Sequence, residues 1–160
     1  MEKDFSCNCK GGCKDYRCSC RKNNEPCDEH CGCVDCENPL NTLSLEEIEE
    51  LTLCTLHNID TYLSLQKKEL NQKLELPCEC EQVALKELVS MYECSGCDEL
   101  YWYSFCWGEV VQDNCTWHCE ICKTCRDNSE WHCDNCNQCT YGLTMPCMNC
   151  NNSSGFMDFY

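Results

Sequence analysis

The chain has no run approaching the ~18 consecutive apolar residues that a membrane span requires, so no membrane association is expected. Its first ten residues, MEKDFSCNCK, lack an apolar stretch and already carry cysteines, so no secretory signal is visible. Positive charge is scarce: 12 Lys and Arg face 28 Asp and Glu, for a net charge of −16. That balance excludes strong nucleic-acid binding along the whole length, because most of the chain repels phosphates. There is no phosphate loop, nucleophile elbow or HExxH pattern, so the common signatures of phosphoryl transfer, serine hydrolysis and zinc hydrolysis are missing. The chain reads as a non-enzyme, with ubiquitin-ligase activity as the alternative.

Cysteine is abundant instead, at 24 of 160 residues. A chain this poor in aliphatic core needs crosslinks, either disulfide or metal. Without an export route its thiols stay reduced, and reduced thiols at short spacing are metal ligands. Zinc is therefore the expected cofactor. Four tryptophans and seven tyrosines imply small built domains and not a flexible thiol sponge. The charge is unevenly placed. Residues 1–26 hold six basic and four acidic side chains, a net +2, so the rest carries −18. Contact with nucleic acid, if made, belongs to that first segment.

Residues 1–40 form the first expected domain. Cys7, Cys9, Cys13, Cys18, Cys20, Cys27, Cys31, Cys33 and Cys36 are closed by Asn38-Pro39. Nine thiolates cannot build three separate tetrahedral sites. They can hold three zinc ions if three sulfurs bridge, each metal then having two terminal and two bridging ligands. Cys-x-Cys pairs suit such sharing, and Gly11, Gly12 and Gly32 are expected to supply positive φ for the tight wrap.

The segment CNCKGGCKDYRCSCRKNNEPCDEHCGCVDCENP resembles the CXC domain of the tesmin/TSO1-like (CRC) family, in a single copy covering residues 7–39. The resemblance implies an irregular trinuclear zinc knot, DNA binding, and a nuclear, chromatin-associated location. It also implies DNA contacts from Arg17 and its neighbour Tyr16, from Arg21 and Lys22 after Cys20, and from Lys10 and Lys14 on phosphates. A related block in kinesin tails takes an iron–sulfur cluster, which is the alternative metal.

Residues 41–77 read as an α-helical linker. Ser44 and Glu47 make a capping box, and Leu45, Ile48, Leu56, Ile59, Leu63 and Leu70 follow at helical spacing, with Pro77 ending the run. The helix is expected to pack on its own chain, with a homodimeric coiled coil as the alternative. A second short helix is expected over 83–91. Cys54 and His57 are read as a buried thiol and a surface imidazole.

Residues 78–150 form a third, Cys/His-rich zinc array with little regular structure expected, followed by a loose tail at 151–160. Trp117-His118-Cys119-Glu120-Ile121-Cys122-Lys123-Thr124-Cys125 returns 14 residues later as Trp131-His132-Cys133-Asp134-Asn135-Cys136-Asn137-Gln138-Cys139. The candidate ligands are Cys78, Cys80, Cys94, Cys97, Cys106, Cys115, Cys119, Cys122, Cys125, Cys133, Cys136, Cys139, Cys147, Cys150, His118 and His132. These sixteen allow up to four tetrahedral sites, with the pairing left open. ECSGCDELYWYSFC…WHCEIC is similar to the second half of a PHD finger, and HCEICKTCRDNSEWHCDNCNQC to a CTCHY zinc finger. Both resemblances imply protein binding in chromatin or ubiquitin pathways, here with a basic, histone-like partner.

Overall fold

The computed structural model describes residues 6–151, so the expected tail lies, from residue 152 on, outside the described residues. The chain forms two compact units, Met1–Leu51 with Leu56–Ser64, and Thr52–Thr55 with Leu65–Tyr160. No helix among the described residues is long and apolar enough to cross a membrane.

The first unit winds its cysteine-rich segment around one short helix, α1 (Ser19–Lys22), and a 3-10 turn, Pro39–Thr42. The amide of Gly32 donates to the carbonyl of Cys7 at 2.8 Å and that of Val34 to Cys9 at 3.0 Å, laying the second half on the first. Of the three expected glycines only Gly12 takes a positive φ, 86°. At Gly32 a Cβ would meet the end of the Asn8 side chain, which would have to turn away. Next to the sulfurs, Leu40, Ile48, Leu56 and Ile59 form a small aliphatic core. Each such burial contributes roughly 1.5–3 kcal/mol.

The expected long helix is broken into α2 (Leu45–Glu50), α3 (Leu53–His57), α4 (Ile59–Ser64) and α5 (Lys67–Leu70). The Ser44–Glu47 capping box does form. The first break has a clear cause. The Thr52 amide pairs with the carbonyl of Val89 at 3.0 Å, while its hydroxyl accepts from the Thr55 amide at 3.2 Å and so caps a new turn. Gln66 interrupts the segment again, its amide donating to Glu69 Oε2 at 2.8 Å. No continuous seam remains for a coiled coil: Leu56 is buried, but Leu63 is exposed.

In the second unit β1 (Lys73–Glu75) pairs antiparallel with β2 (Gln82–Ala84), and α6 (Leu85–Leu88) replaces the longer helix expected over 83–91. Strands β3 (Tyr92–Glu93), β4 (Leu100–Ser104) and β5 (Glu109–Gln112) make a three-stranded antiparallel sheet. Two hairpins follow, β6 (Thr116–Cys119) with β7 (Thr124–Asp127) and β8 (Glu130–Cys133) with β9 (Gln138–Tyr141). The array expected to lack regular structure is thus built of hairpins. Leu76, Val83, Leu88 and Tyr101 pack with Cys94 as the core of the first part. Among the described residues after Val111, the only buried apolar side chains are Cys119, Cys125, Cys133 and Cys147.

Candidate metal centres

All 24 cysteines are free thiols, yet their sulfurs gather in fours. A tetrahedral metal with bonds of about 2.3 Å to sulfur sets its ligand atoms about 3.8 Å apart. The observed Sγ–Sγ separations fall at that value: Cys7–Cys13 3.8 Å, Cys7–Cys27 3.7 Å, Cys78–Cys94 3.7 Å, Cys54–Cys106 3.9 Å, Cys133–Cys150 3.7 Å and Cys136–Cys147 3.6 Å. The donor sets therefore fit a zinc-type ion.

In the first unit three overlapping groups appear: Cys7, Cys20, Cys27, Cys31; Cys7, Cys13, Cys18, Cys27; and Cys13, Cys27, Cys33, Cys36. Cys7, Cys13 and Cys27 each recur, as bridging ligands must. Cys9 interacts with Cys13, Cys18 and Cys7, so it can replace Cys27 in the second group and pair with Cys18 as its terminal ligands. The other terminal pairs are then Cys20 with Cys31 and Cys33 with Cys36. The closing asparagine has a direct chemical role. Buried Asn38 donates through Nδ2 to Cys27 Sγ at 3.5 Å, and Asn41 donates to Cys36 Sγ at 3.3 Å.

The second unit holds four separate groups. Site I is Cys78, Cys80, Cys94 and Cys97; site II is Cys54, Cys106, His118 and Cys125. Site III joins Cys119, Cys122, His132 and Cys139: both His132 Nδ1–Cys119 and His132 Nδ1–Cys122 measure 3.5 Å, and Cys139–Cys122 measures 3.5 Å. Site IV joins Cys133, Cys136, Cys147 and Cys150. Sixteen ligands in four sites is the number the sequence allows, but one member differs. Cys115 is exposed, with its thiol donating to Asn114 Oδ1 at 3.2 Å, and Cys54 takes its place. Cys54 was read as a merely buried thiol because its partners are distant in sequence. Nothing local in the sequence marks it as a ligand.

Strand geometry explains the pairing that the sequence left open. Neighbouring residues on a strand point to opposite faces, and directly opposed residues of a hairpin share a face. His118 is opposed to Cys125, and His132 to Cys139. Each His–Cys dipeptide is therefore split. The histidine and the hairpin's last cysteine serve one site, and the Cys-x-x-Cys serves the next. His118 and Cys125 close site II while Cys119 and Cys122 open site III. One repeat later, His132 and Cys139 close site III while Cys133 and Cys136 open site IV.

The four segments Cys94-x-x-Cys97, Cys119-x-x-Cys122, Cys133-x-x-Cys136 and Cys147-x-x-Cys150 turn alike. The residue after the second cysteine (Asp98, Lys123, Asn137, Asn151) has φ between 53° and 57°. Its amide donates to the carbonyl of the first cysteine at 2.7–2.8 Å. In three of them an amide also points at the first sulfur at 3.4 Å, from Gly96, Cys122 and Asn149. This is a metal-binding knuckle made four times over. Gly96 is required in the first, since a Cβ would lie 2.8 Å from that of Cys80. The two tryptophans brace the hairpins, Trp117 and Trp131 donating Nε1 to the carbonyls of Asp127 and Gly142, each at 3.0 Å.

Supporting groups orient the ligands. His132 Nε2 lies 3.3 Å from Asn137 Oδ1, which fixes the tautomer and leaves Nδ1 as the donor to metal. Ser104 donates to Cys125 Sγ at 3.1 Å. The packed thiols split into two sets. Burial pushes Cys94, Cys136 and Cys139 up to about 12, and Cys13 and Cys27 higher still. Hydrogen bonds from neighbouring thiols and amides outweigh burial and lower others, among them Cys18, Cys78 and Cys147, and the Cys125 thiol with His118 lowers Cys54 to about 4. Such clusters hold several thiolates together only around a positive ion.

The residues expected to touch DNA separate into two groups. Arg21 is buried, its guanidinium 4.8 Å from the Tyr16 ring centroid and one nitrogen 3.4 Å from the Leu56 carbonyl. Tyr16 donates to the His57 carbonyl at 3.2 Å. Both residues make contacts inside the unit, Arg21 as a buried side chain and Tyr16 as a half-buried one. Lys10, Lys14, Arg17 and Lys22 are exposed. Lys10, Lys14 and Arg17 line one cleft of about 280 Å³ beside Cys9 and Cys18. Lys14 pairs with Glu37 and Arg17 with Asp15, each at 2.6 Å.

Compared with known proteins, the chain finds no match among family models, curated proteins or solved structures.

Proposed function

We propose that this is a zinc-built binding protein holding seven structural zinc ions, three in a shared-thiolate CXC cluster and one in each of sites I–IV. The observation that carries this reading is the set of sulfur separations near 3.8 Å around closed four-ligand groups. Every group is filled by protein donors, so the ion has no open position for a substrate and contributes folding energy instead. Native mass spectrometry of the reduced full chain should find seven zinc ions. Fewer than seven, or the absorbance of an iron–sulfur cluster, overturns the reading.

The shared cleft of Lys10, Lys14 and Arg17 supports a second element, contact of the first unit with a DNA backbone in a nuclear, chromatin setting. Breaking the exposed Lys14–Glu37 and Arg17–Asp15 pairs costs little, because solvent and salt screen both. The acidic second unit then meets a basic protein partner. Fluorescence anisotropy on duplex DNA should give a log–log salt slope on the order of −2 to −4. The triple variant K10A/K14A/R17A should lose most of the affinity; unchanged binding refutes the DNA element.

A further inference from the structure

Sites II and III are built to one plan with a single difference. In each, a histidine and a cysteine seven residues apart close the site. In each, a short link joins that pair to the other arm, twelve residues from Cys106 to His118 and ten from Cys122 to His132. Site III's other arm is the knuckle Cys119-x-x-Cys122. Site II's other arm is Cys54 with Cys106, 52 residues apart. The knuckle presents both sulfurs from one preformed turn, whereas site II must bring α3 to the turn that follows β4.

We infer that site II is the exchangeable metal site of the second unit, and that its occupancy decides whether residues 52–55 stay packed there. The inference rests on the zinc reading above. Closing a flexible loop of n residues becomes less probable roughly as n to the power 3/2, so to the extent that the 52-residue arm is released with the ion it lowers effective ligand concentration, by at most tens- to a hundredfold relative to a knuckle. The two hydrogen bonds from Thr52 and Thr55 to the Val89 carbonyl, 3.0 and 2.9 Å, recover part of that. Site III does not suffer with it, because all four of its ligands lie on the two hairpins and none on α3. Loss of the ion leaves Cys54 with its neighbours Cys106 and Cys125 but without the bond that fixes α3 to both. The segment 52–55 then keeps the Val89 carbonyl and the apolar packing of Cys54 against Trp102 and Val111, but no coordinate bond.

The test is an equilibrium titration of the full, zinc-loaded chain against buffered free zinc, read by native mass spectrometry and by maleimide labelling mapped to peptides. As free zinc falls, a six-zinc species should appear first, by at most tens- to a hundredfold before the next loss. Its newly labelled cysteines should be Cys54, Cys106 and Cys125, and the Thr52 and Thr55 amides should lose hydrogen-exchange protection. Cys54→Ser should give a six-zinc protein that keeps the Cys119, Cys122 and Cys139 thiols protected. First labelling at Cys78 and Cys80, loss of several ions together, or loss of site III in Cys54→Ser overturns the inference. A starting count below seven instead strikes the zinc reading itself.

Discussion

Stripping the metal should unfold residues 113–150 as a block while part of the chain before them survives. After Val111, the buried apolar side chains among the described residues are four cysteines, and all four are metal ligands. The hairpins β6–β7 and β8–β9 have no aliphatic core beneath them, and a two-stranded hairpin alone is at best marginally stable in water. Structural zinc supplies roughly 10–16 kcal/mol per site at neutral pH, as much as the whole stability of an ordinary domain. Sites III and IV, which lie wholly in this block, therefore outweigh everything else that orders it. Leu76, Val83, Leu88 and Tyr101, by contrast, form an apolar core with only one cysteine buried among them. The assay is hydrogen exchange by NMR before and after chelation under reducing conditions. Amides of Trp117, Cys125, Trp131 and Cys139 should fall to unfolded-chain exchange rates, and re-addition of zinc should restore them. If β6–β9 keep their protection without metal, the hairpins stand on something other than the ions, and the argument fails.

Cys115→Ser should leave the zinc count unchanged and shift stability by less than about 0.5 kcal/mol, as expected for an exposed side chain outside any site. In the same protein one fast-labelling thiol per chain should disappear, measured with a maleimide under native conditions. Asn137→Ala removes the partner of His132 Nε2 and puts a Cβ-bearing residue without a stabilising side chain at φ 57°. Loss of such a supporting group typically weakens metal binding 10–100-fold. Competition with a chromophoric chelator should show that weakening at site III, and equal affinity would deny the tautomer argument. Arg21→Ala should destabilise the first unit by about 2 kcal/mol through the lost cation–π and hydrogen-bond contacts. Faster amide exchange over residues 16–22 without DNA present is the expected signature.

The sequence announced its chemistry better than its architecture. The nine-cysteine spacing allows shared sulfurs, and Cys7, Cys13 and Cys27 each recur in more than one of the four-ligand groups. The Ser44–Glu47 cap was legible because a capping box is local chemistry. The long helix was not, since the Thr52 amide finds its partner at Val89, 37 residues away, and no helical periodicity encodes that. Cys54 was missed for the same reason: its ligand partners begin 52 residues downstream. Cys115 was miscounted because spacing alone cannot distinguish a ligand from an exposed thiol. A basic residue beside a cysteine knot suggests phosphate contact, and the burial of the Arg21 guanidinium against the Tyr16 ring is not legible in that local pattern.

The 14-residue repeat shows how a short sequence becomes a linked series of sites. A hairpin whose strand carries His–Cys cannot direct both side chains to the same ion, because adjacent strand residues face opposite ways. The repeat therefore cannot close on itself as an independent finger. Its knuckle needs the histidine and last cysteine of the following hairpin, and its own histidine and last cysteine serve the preceding site. At its end the series is completed by a second knuckle, Cys147-x-x-Cys150. At its beginning no knuckle is available, and Cys54 with Cys106 fills the gap. Site II is thus the end of a series that lacks its natural partner, which is why a cysteine from the helical segment is recruited. The same logic concentrates negative charge. Four divalent ions among fourteen thiolates would leave a formal −6, added to an already acidic chain, and a basic surface would meet that charge favourably within a Debye length, about 8 Å at physiological salt.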